Sequence, residues 1–233
     1  MNTDQSALVP WDCEGLFSCV DALIEVNFNF VKLRLLKLVR ILIIDFYDSF
    51  VYNLVHYFES LEVDVQVIMD GEVSPDNLDF LNEYSGVVLS PGPGLPHETR
   101  CMMAVIAYCQ GTIPIFGVCL GMQGLGQHLG ATLNNLSAVR HGISKPLVLT
   151  RETWLFKDIK SPIVVGLYHS WGFTEIFEKY LVAKDDEGVV MAIASDEDKF
   201  LGVQFHPESV MTDAGLKIIE NVRDYFVASQ KNK

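Results

Sequence analysis

Between Ile115 and Gly126 the chain reads IFGVCLGMQGLG, which places Cys119 in a Gly117-x-Cys119-x-Gly121 turn between an apolar run and a plausible helix. A free cysteine is most often a small buried hydrophobe. The flanking glycines give a sharper reading, because a strained strand-to-helix turn needs residues without side chains around it and exposes the central side chain as a nucleophile. The N-terminus of the following helix favours a thiolate. The backbone N–H of Leu120, next along the chain, is then in the position that usually donates to an oxyanion.

A thiol nucleophile needs a base, and the base needs a group to orient it. The stretch VQFHPESV offers His206 and Glu208 just after an apolar strand. Two residues apart in extended backbone, their side chains point to roughly the same side. His206 could take the Cys119 proton while Glu208 fixes the tautomer of the ring. Taken singly, each of the three is more often packing or solvated surface; the combination is what points to chemistry. A second unusual loop, SPGPGLP, runs from Ser90 to Pro96. Pro91 and Pro93 stiffen it and lack an N–H, whereas Gly92 and Gly94 permit close approach to a ligand or a positive φ.

These loops must be carried by regular elements. RILIID from Arg40 is a short apolar run suited to a buried parallel strand. The following YDSFVYNLVHYFESL puts Phe50, Val51, Leu54, Val55, Phe58 and Leu61 on one helical face, with Asp48 or Ser49 as cap. VDVQVIM and GVVLS read as further strands, ETRCMMAVIAYCQ as a helix and IPIFGV as a fourth strand. This alternation predicts an α/β fold with an open, mostly parallel sheet flanked by helices. After Ala131 the segments ATLNNL, KPLVLT, PIVVGLY, GVVMAIA and FLGVQFHP predict additional strands in the C-terminal half. The last helix, within TDAGLKIIENVRDYF, is expected to turn Leu216, Ile219, Val222 and Phe226 inward with Thr212 as cap. In an open α/β sheet, function sits at the carboxyl ends of the strands, where both unusual loops fall.

Composition narrows the function classes. With 233 residues, 49% of them hydrophobic and 20% charged, the chain can bury a full core. Lys+Arg 17 against Asp+Glu 30 gives a net charge of -13, which repels a phosphate backbone, so no nucleic-acid partner is expected. Five cysteines, an odd number without metal-type spacing, suggest neither a disulfide framework nor a zinc site and fit a reducing cytoplasm. No phosphate loop, metal constellation or dinucleotide fingerprint is present, so no cofactor and no metal is expected. The first 39 residues stand apart from the domain expected over 40–228. They start acidic, unlike a signal peptide, and the apolar stretch that follows carries Lys32, Arg34, Lys37 and Arg40, too many charges for a membrane span. This extension reads as an amphipathic helix, as an extra strand, or as sequence ahead of a true start at Val39.

ILIIDFYDSFVYNL, LSPGPGLP, GVCLGMQ, YHSW and GVQFHPESV, in this order, resemble the class I (triad-type) glutamine amidotransferases. Within that family the resemblance is to the glutaminase component of anthranilate synthase and its sister in aminodeoxychorismate synthase. It covers about Arg40 to Phe226 and implies the flavodoxin-like class I glutaminase fold. It also implies that Cys119 attacks the side-chain amide of L-glutamine, forms a glutamyl thioester and releases ammonia to a chorismate-binding synthase subunit (component I) in a hetero-oligomer. By position, Cys119, His206 and Glu208 would be catalytic. Gly92, Pro93, Gly94, Leu120, Gln123, Ser170 and Trp171 would bind substrate. His169 and His141 also match family positions, where a structural or interface role is expected. The chain departs from the family at Met122, Phe46, Leu167 and Trp171, where histidine, asparagine, arginine and leucine are common. The alternatives are a non-catalytic scaffold relative, and a glutaminase or γ-glutamyl hydrolase of another pathway using the same three residues.

Overall fold

The computed structural model describes residues 39–230, so the expectations for the N-terminal extension before Val39 lie outside the described residues. Strand β1 (Arg40–Asp45) is buried from its second residue onward, as a central strand covered on both faces must be. It pairs in parallel with β2 (Asp64–Met69) on one side and β3 (Gly86–Leu89) on the other. Alternation along β1 sends Ile41 and Ile43 into one core and Leu42 and Ile44 into the other. Helices α1 (Val51–Ser60) and α4 (Gly215–Gln230) cover the first face through Phe58 and Phe226. The second is covered by α2 (Met102–Cys109) and α3 (Leu120–His128), through residues such as Ile106 and Leu125. Each such side chain removed from water contributes about 1.5–3 kcal/mol.

The parallel set continues through β4 (Ile115–Val118), which pairs with β3, to β10 (Phe200–Val203) on its other side. Beyond β10 the sheet turns antiparallel through β9 (Val190–Ser195), β8 (Leu181–Lys184) and the short β6 (Val148–Leu149). The eight strands run in the order β2-β1-β3-β4-β10-β9-β8-β6, and β5 (Asn134–Pro146) with β7 (Val164–Gly172) forms a separate antiparallel ribbon. This is the mostly parallel sheet with C-terminal antiparallel strands that the sequence predicts.

Several local expectations are corrected. Leu216 is 47% exposed and Ile218 is buried in its place, because α4 starts at Gly215; Ile219, Val222 and Phe226 turn inward as expected. A Cβ on Gly215 would overlap the Pro207 carbonyl, so the helix start presses directly on the loop after His206. Thr212 does not cap the helix; its hydroxyl donates to the His206 carbonyl at 2.7 Å and accepts the Gly166 N–H at 3.0 Å. At α1 the cap position is Phe50 and makes no side-chain cap bond, while the Asp48 carboxylate accepts the Phe50 N–H at 2.7 Å in the turn before the helix. Phe50, Val55 and Leu61 are only partly buried. Strand β5 runs straight through the unpredicted SAVRHGIS, with register shifts between Asn135 and Arg140 and between His141 and Ile143.

Candidate active site

The carboxyl end of β4 delivers Cys119 into a backbone conformation, φ 51° and ψ -101°, that a side-chain-bearing residue rarely adopts. Such a conformation costs about 1–3 kcal/mol and persists only where the surroundings over-determine it. Here the Cys119 N–H donates to the Val203 carbonyl at 2.8 Å, and the Cys119 carbonyl accepts the Gln123 N–H at 3.0 Å, closing the first turn of α3. Packing leaves no alternative to the flanking glycines. A Cβ on Gly117 would meet Gly121 backbone at 2.5 Å, and one on Gly121 would overlap the Leu89 carbonyl. The first N–H groups of α3, Leu120 among them, have no carbonyl one turn back to bond and face the cysteine with the positive end of the helix dipole.

Strand β10 ends at Val203, and the next residues bring His206 and Glu208 alongside. The His206 N–H donates to the Gly166 carbonyl at 3.1 Å, and Ser209 and Thr212 close the loop back onto the His206 carbonyl. His206 Nδ1 lies 2.6 Å from Glu208 Oε1, with both side chains buried. Edge-on contacts fix the plane of the ring: Tyr168 at 5.0 Å and Phe50 at 5.7 Å between centroids. Burial alone would depress the imidazole's pKa, but Cys119 and then Glu208 override it and raise it to about 10. The remaining ring nitrogen, Nε2, is buried without a formed hydrogen bond and is the atom left for the neighbouring thiol.

Cys119 opens onto a cavity of about 420 Å³ lined by Gly92, Pro93, Gly94, Gln123, Ser170 and Trp171, together with Leu95, Glu98, Tyr168 and His169. Six of the seven candidate binding residues therefore share one wall system. The seventh, Leu120, lies beneath the Pro-Gly loop: a Cβ on Gly92 would meet Leu120 Cδ2 at 2.8 Å and the Phe46 carbonyl at 2.5 Å. Gly94 has φ 79°, which leaves it the conformation glycine adopts at no steric cost. Gln123 Nε2 donates to the Trp171 carbonyl at 3.1 Å and to Gln204 Oε1 at 3.2 Å. His169 Nδ1 sits 2.8 Å from the same Trp171 carbonyl, and burial pulls its pKa down to about 4, so the ring is neutral near pH 7. His141 is exposed and packs edge-on against Tyr168. A larger cavity, about 690 Å³, opens among Leu149, Arg151, Trp154 and Asp196; none of the residues with candidate chemistry lines it.

The departures from the family pattern are accommodated by packing. Met122 and Leu167 are fully buried, and Phe46 is 2% exposed with its N–H bonded to Ser90 Oγ at 2.9 Å. The Met122 side chain lies over Gly202, where an added Cβ would come within 3.0 Å of it. Trp171 lines the cavity, and its backbone carbonyl accepts from Gln123 Nε2.

A sequence profile for glutamine amidotransferase class-I matches residues 42–224. The chain belongs to the class-I glutamine amidotransferases.

The amidotransferase is 37% identical over 185 residues to anthranilate synthase component 2 of Helicobacter pylori, covering 78% of this chain and 94% of that one. It is also 37% identical over 189 residues to the bifunctional protein TrpGD of Thermotoga maritima, covering 78% of this chain but spanning only 31% of that longer protein. The solved structure of a protein described as part of a GMP synthase, from Thermoplasma acidophilum, superposes with a TM-score of 0.73 at 21% identity, covering 84% of this chain and 97% of the other; it supports the fold.

Two groups at the amidotransferase's site escape the sequence reading. Gln204, fully buried, places Nε2 3.4 Å from Cys119 Sγ. No pattern in the sequence marks it, and the extended backbone expected from His206 to Glu208 is instead a turn, closed by the Ser209 N–H on the His206 carbonyl at 3.2 Å, that brings the two side chains together. Tyr168, whose hydroxyl lies 3.0 Å from Ser209 Oγ while its ring supports His206, sits in the quoted YHSW motif without a distinguishing pattern of its own.

Proposed function

We propose that residues 40–228 form a glutaminase whose Cys119, His206 and Glu208 hydrolyse L-glutamine to glutamate and ammonia. One observation carries this reading: a cysteine held in a strained turn at a helix N-terminus, beside a buried His–Glu pair, at the wall of a cavity sized for an amino acid. The thiolate attacks the carboxamide carbon, and the carbonyl electrons move onto oxygen. The N–H of Leu120 and those of the Gly92–Gly94 loop are placed to receive that charge. Leu95 is not available for this, because its N–H donates to Glu98 Oε2 at 2.8 Å. As the oxyanion collapses, the C–N bond breaks and the His206 imidazolium gives its proton to the departing nitrogen, releasing ammonia and leaving a thioester. His206, now neutral, takes a proton from water, which attacks the thioester and expels the Cys119 thiolate with glutamate. Glu208 holds the ring in the tautomer that both steps need.

Binding of substrate is assigned to the cavity wall: Gln123 and the Ser170–Trp171 backbone for the amino-acid end, Gly92, Pro93 and Gly94 for the carboxamide. The relatives named anthranilate synthase component 2 support a subunit that passes ammonia to a chorismate-utilising synthase in tryptophan biosynthesis, with the aminodeoxychorismate route to folate as the sister possibility. The partner is then a chorismate-binding component I in a hetero-oligomer, in the cytoplasm. Among the described residues no helix is long and apolar enough to cross a membrane. Glutamate release is measured for the chain alone and with each candidate synthase, beside a Cys119→Ser control. Turnover that rises with one synthase and vanishes in the control supports the reading and names the branch; equal absence of turnover in wild type and control would favour a scaffolding relative.

A further inference from the structure

We infer that Gln204 is a positioning residue that holds the Cys119 sulfur toward the substrate cavity, stabilises it as thiolate and ties it to the substrate seat. The role rests on Cys119 being the nucleophile. The orientation of its amide follows from the network around it. The Trp171 carbonyl can only accept, so Gln123, 3.1 Å away, must present its NH2 group there. The same NH2 group reaches Gln204 at 3.2 Å, which requires the Gln204 carbonyl oxygen on that side. Gln204 Nε2 is left facing Cys119 Sγ at 3.4 Å. An unbroken line of donors and acceptors thus runs from the Trp171 backbone through two buried amides to the sulfur. The backbone of Gln204 is itself fixed, its N–H donating to the Met191 carbonyl at 2.9 Å.

The physical consequence is charge stabilisation by a second donor besides the imidazole. A hydrogen bond to an ionised acceptor is stronger than a neutral one, and more so in a buried site. The titratable groups around the sulfur are His206 with Glu208 behind it, and Tyr168, His169 and Glu98 on the cavity wall. Among these, His206 supplies the positive charge, and Gln204 supplies a donor whose protonation does not change with pH. Because Gln204 is anchored through Gln123, displacement of Gln123 by a bound amino acid is felt at the sulfur.

The test is the pH dependence of Cys119 alkylation by iodoacetamide in the free protein, read on the Cys119 peptide by mass spectrometry. It needs neither glutamine nor a synthase, so failure of the glutaminase reading leaves it interpretable. Gln204→Met keeps the size and removes the donor; its alkylation midpoint should rise by about one pH unit, which is about tenfold slower reaction on the acid side of the midpoint. Gln204→Glu, which offers acceptors where the sulfur needs a donor, should shift it further. Gln123→Leu cuts the anchor from the other side and should give a smaller shift in the same direction, which keeps the test open if the Gln204 variants do not fold. Kinetically, kcat for glutamine hydrolysis should fall in Gln204→Met with KM changed less than about threefold, since its bond is to the nucleophile. Wild-type alkylation profiles in every variant that folds would overturn the assignment, whatever happens to turnover.

Discussion

The amide of Cys119 donates to the carbonyl of Val203 at 2.8 Å, so the cysteine's backbone is fastened to the strand that delivers His206 three residues later. Parallel pairing of β4 and β10 therefore sets the separation of the two side chains, and neither loop has to find the other. The glycines at Gly117 and Gly121 are what let β4, α3 and β3 approach closely enough for this. Gly121→Ala should destabilise the fold by about 2 kcal/mol or more, since the added methyl group meets the Leu89 backbone. Urea unfolding measures this, and an unchanged midpoint would contradict the packing argument.

The raised pKa of His206 gives a definite pH dependence. Its value in the folded chain, about 10, lies above the ordinary histidine value of 6.5. The proton therefore stays on the buried site through neutral pH. The associated stability is fully present below pH 6.5 and is lost as pH rises through about 10. Glutaminase activity should accordingly hold across pH 7–9 and fall on an alkaline limb near pH 10, where the proton needed by the leaving nitrogen is gone. An alkaline limb near 6.5 would contradict it.

His169 titrates in the opposite sense. Burial holds its folded-state pKa near 4, so below pH 6.5 the unfolded chain takes up a proton that the folded chain refuses. Stability should decline between pH 6.5 and pH 4 by up to about 1.4 kcal/mol per pH unit from this residue, and the decline should be shallower in His169→Asn. Chemical denaturation at stepped pH reads the slope; identical slopes in the two proteins would remove His169 from the account.

Glu208→Gln keeps the shape of the side chain while removing the charge that faces His206 Nδ1. Turnover should fall by about 10²–10⁴-fold, as expected when the orienting acid of a triad loses its charge, with KM for glutamine nearly unchanged. A loss confined to KM would place Glu208 in binding instead.

Gly92 sits where an added methyl group would meet the Phe46 carbonyl at 2.5 Å. Gly92→Ala should therefore move the Pro-Gly loop, lowering kcat/KM by at least about tenfold through a loop N–H misplaced by a few tenths of an ångström. Thermal stability should fall as well, because the atom met is a backbone carbonyl, so kcat/KM is compared at a temperature where the variant is folded. Unaltered kinetics would show that the loop does not face the reacting carbonyl.

How much is legible in the sequence follows from where each signal resides. The turn at Cys119 is a local pattern of glycines, and the buried strands β1, β3 and β4 are continuous apolar runs; both kinds survive without tertiary information, whereas His206 and Glu208 meet across a turn rather than along the extended backbone expected of them. The middle of strand β5 is not legible in that way, because most of its residues are exposed and no alternation marks it; only its pairing with β7 makes it a strand. Leu216 and Thr212 depart from their expected places because the start of α4 is fixed by Gly215 against Pro207, a contact between residues that pattern alone does not bring together. Gln204 escapes notice because a single amide near a strand end looks like any polar residue until the sulfur and Gln123 are seen on either side of it.

The most direct test of the central claim is to mix the chain with L-glutamine, with the candidate synthase present, quench in acid within one turnover and weigh the peptide bearing Cys119. The expected result is a glutamyl adduct on Cys119 that is absent in Cys119→Ser and fails to form in a variant lacking the His206 imidazole, whose proton the departing nitrogen needs. Glutamine turnover without any adduct on Cys119, or an adduct on another residue, would contradict it.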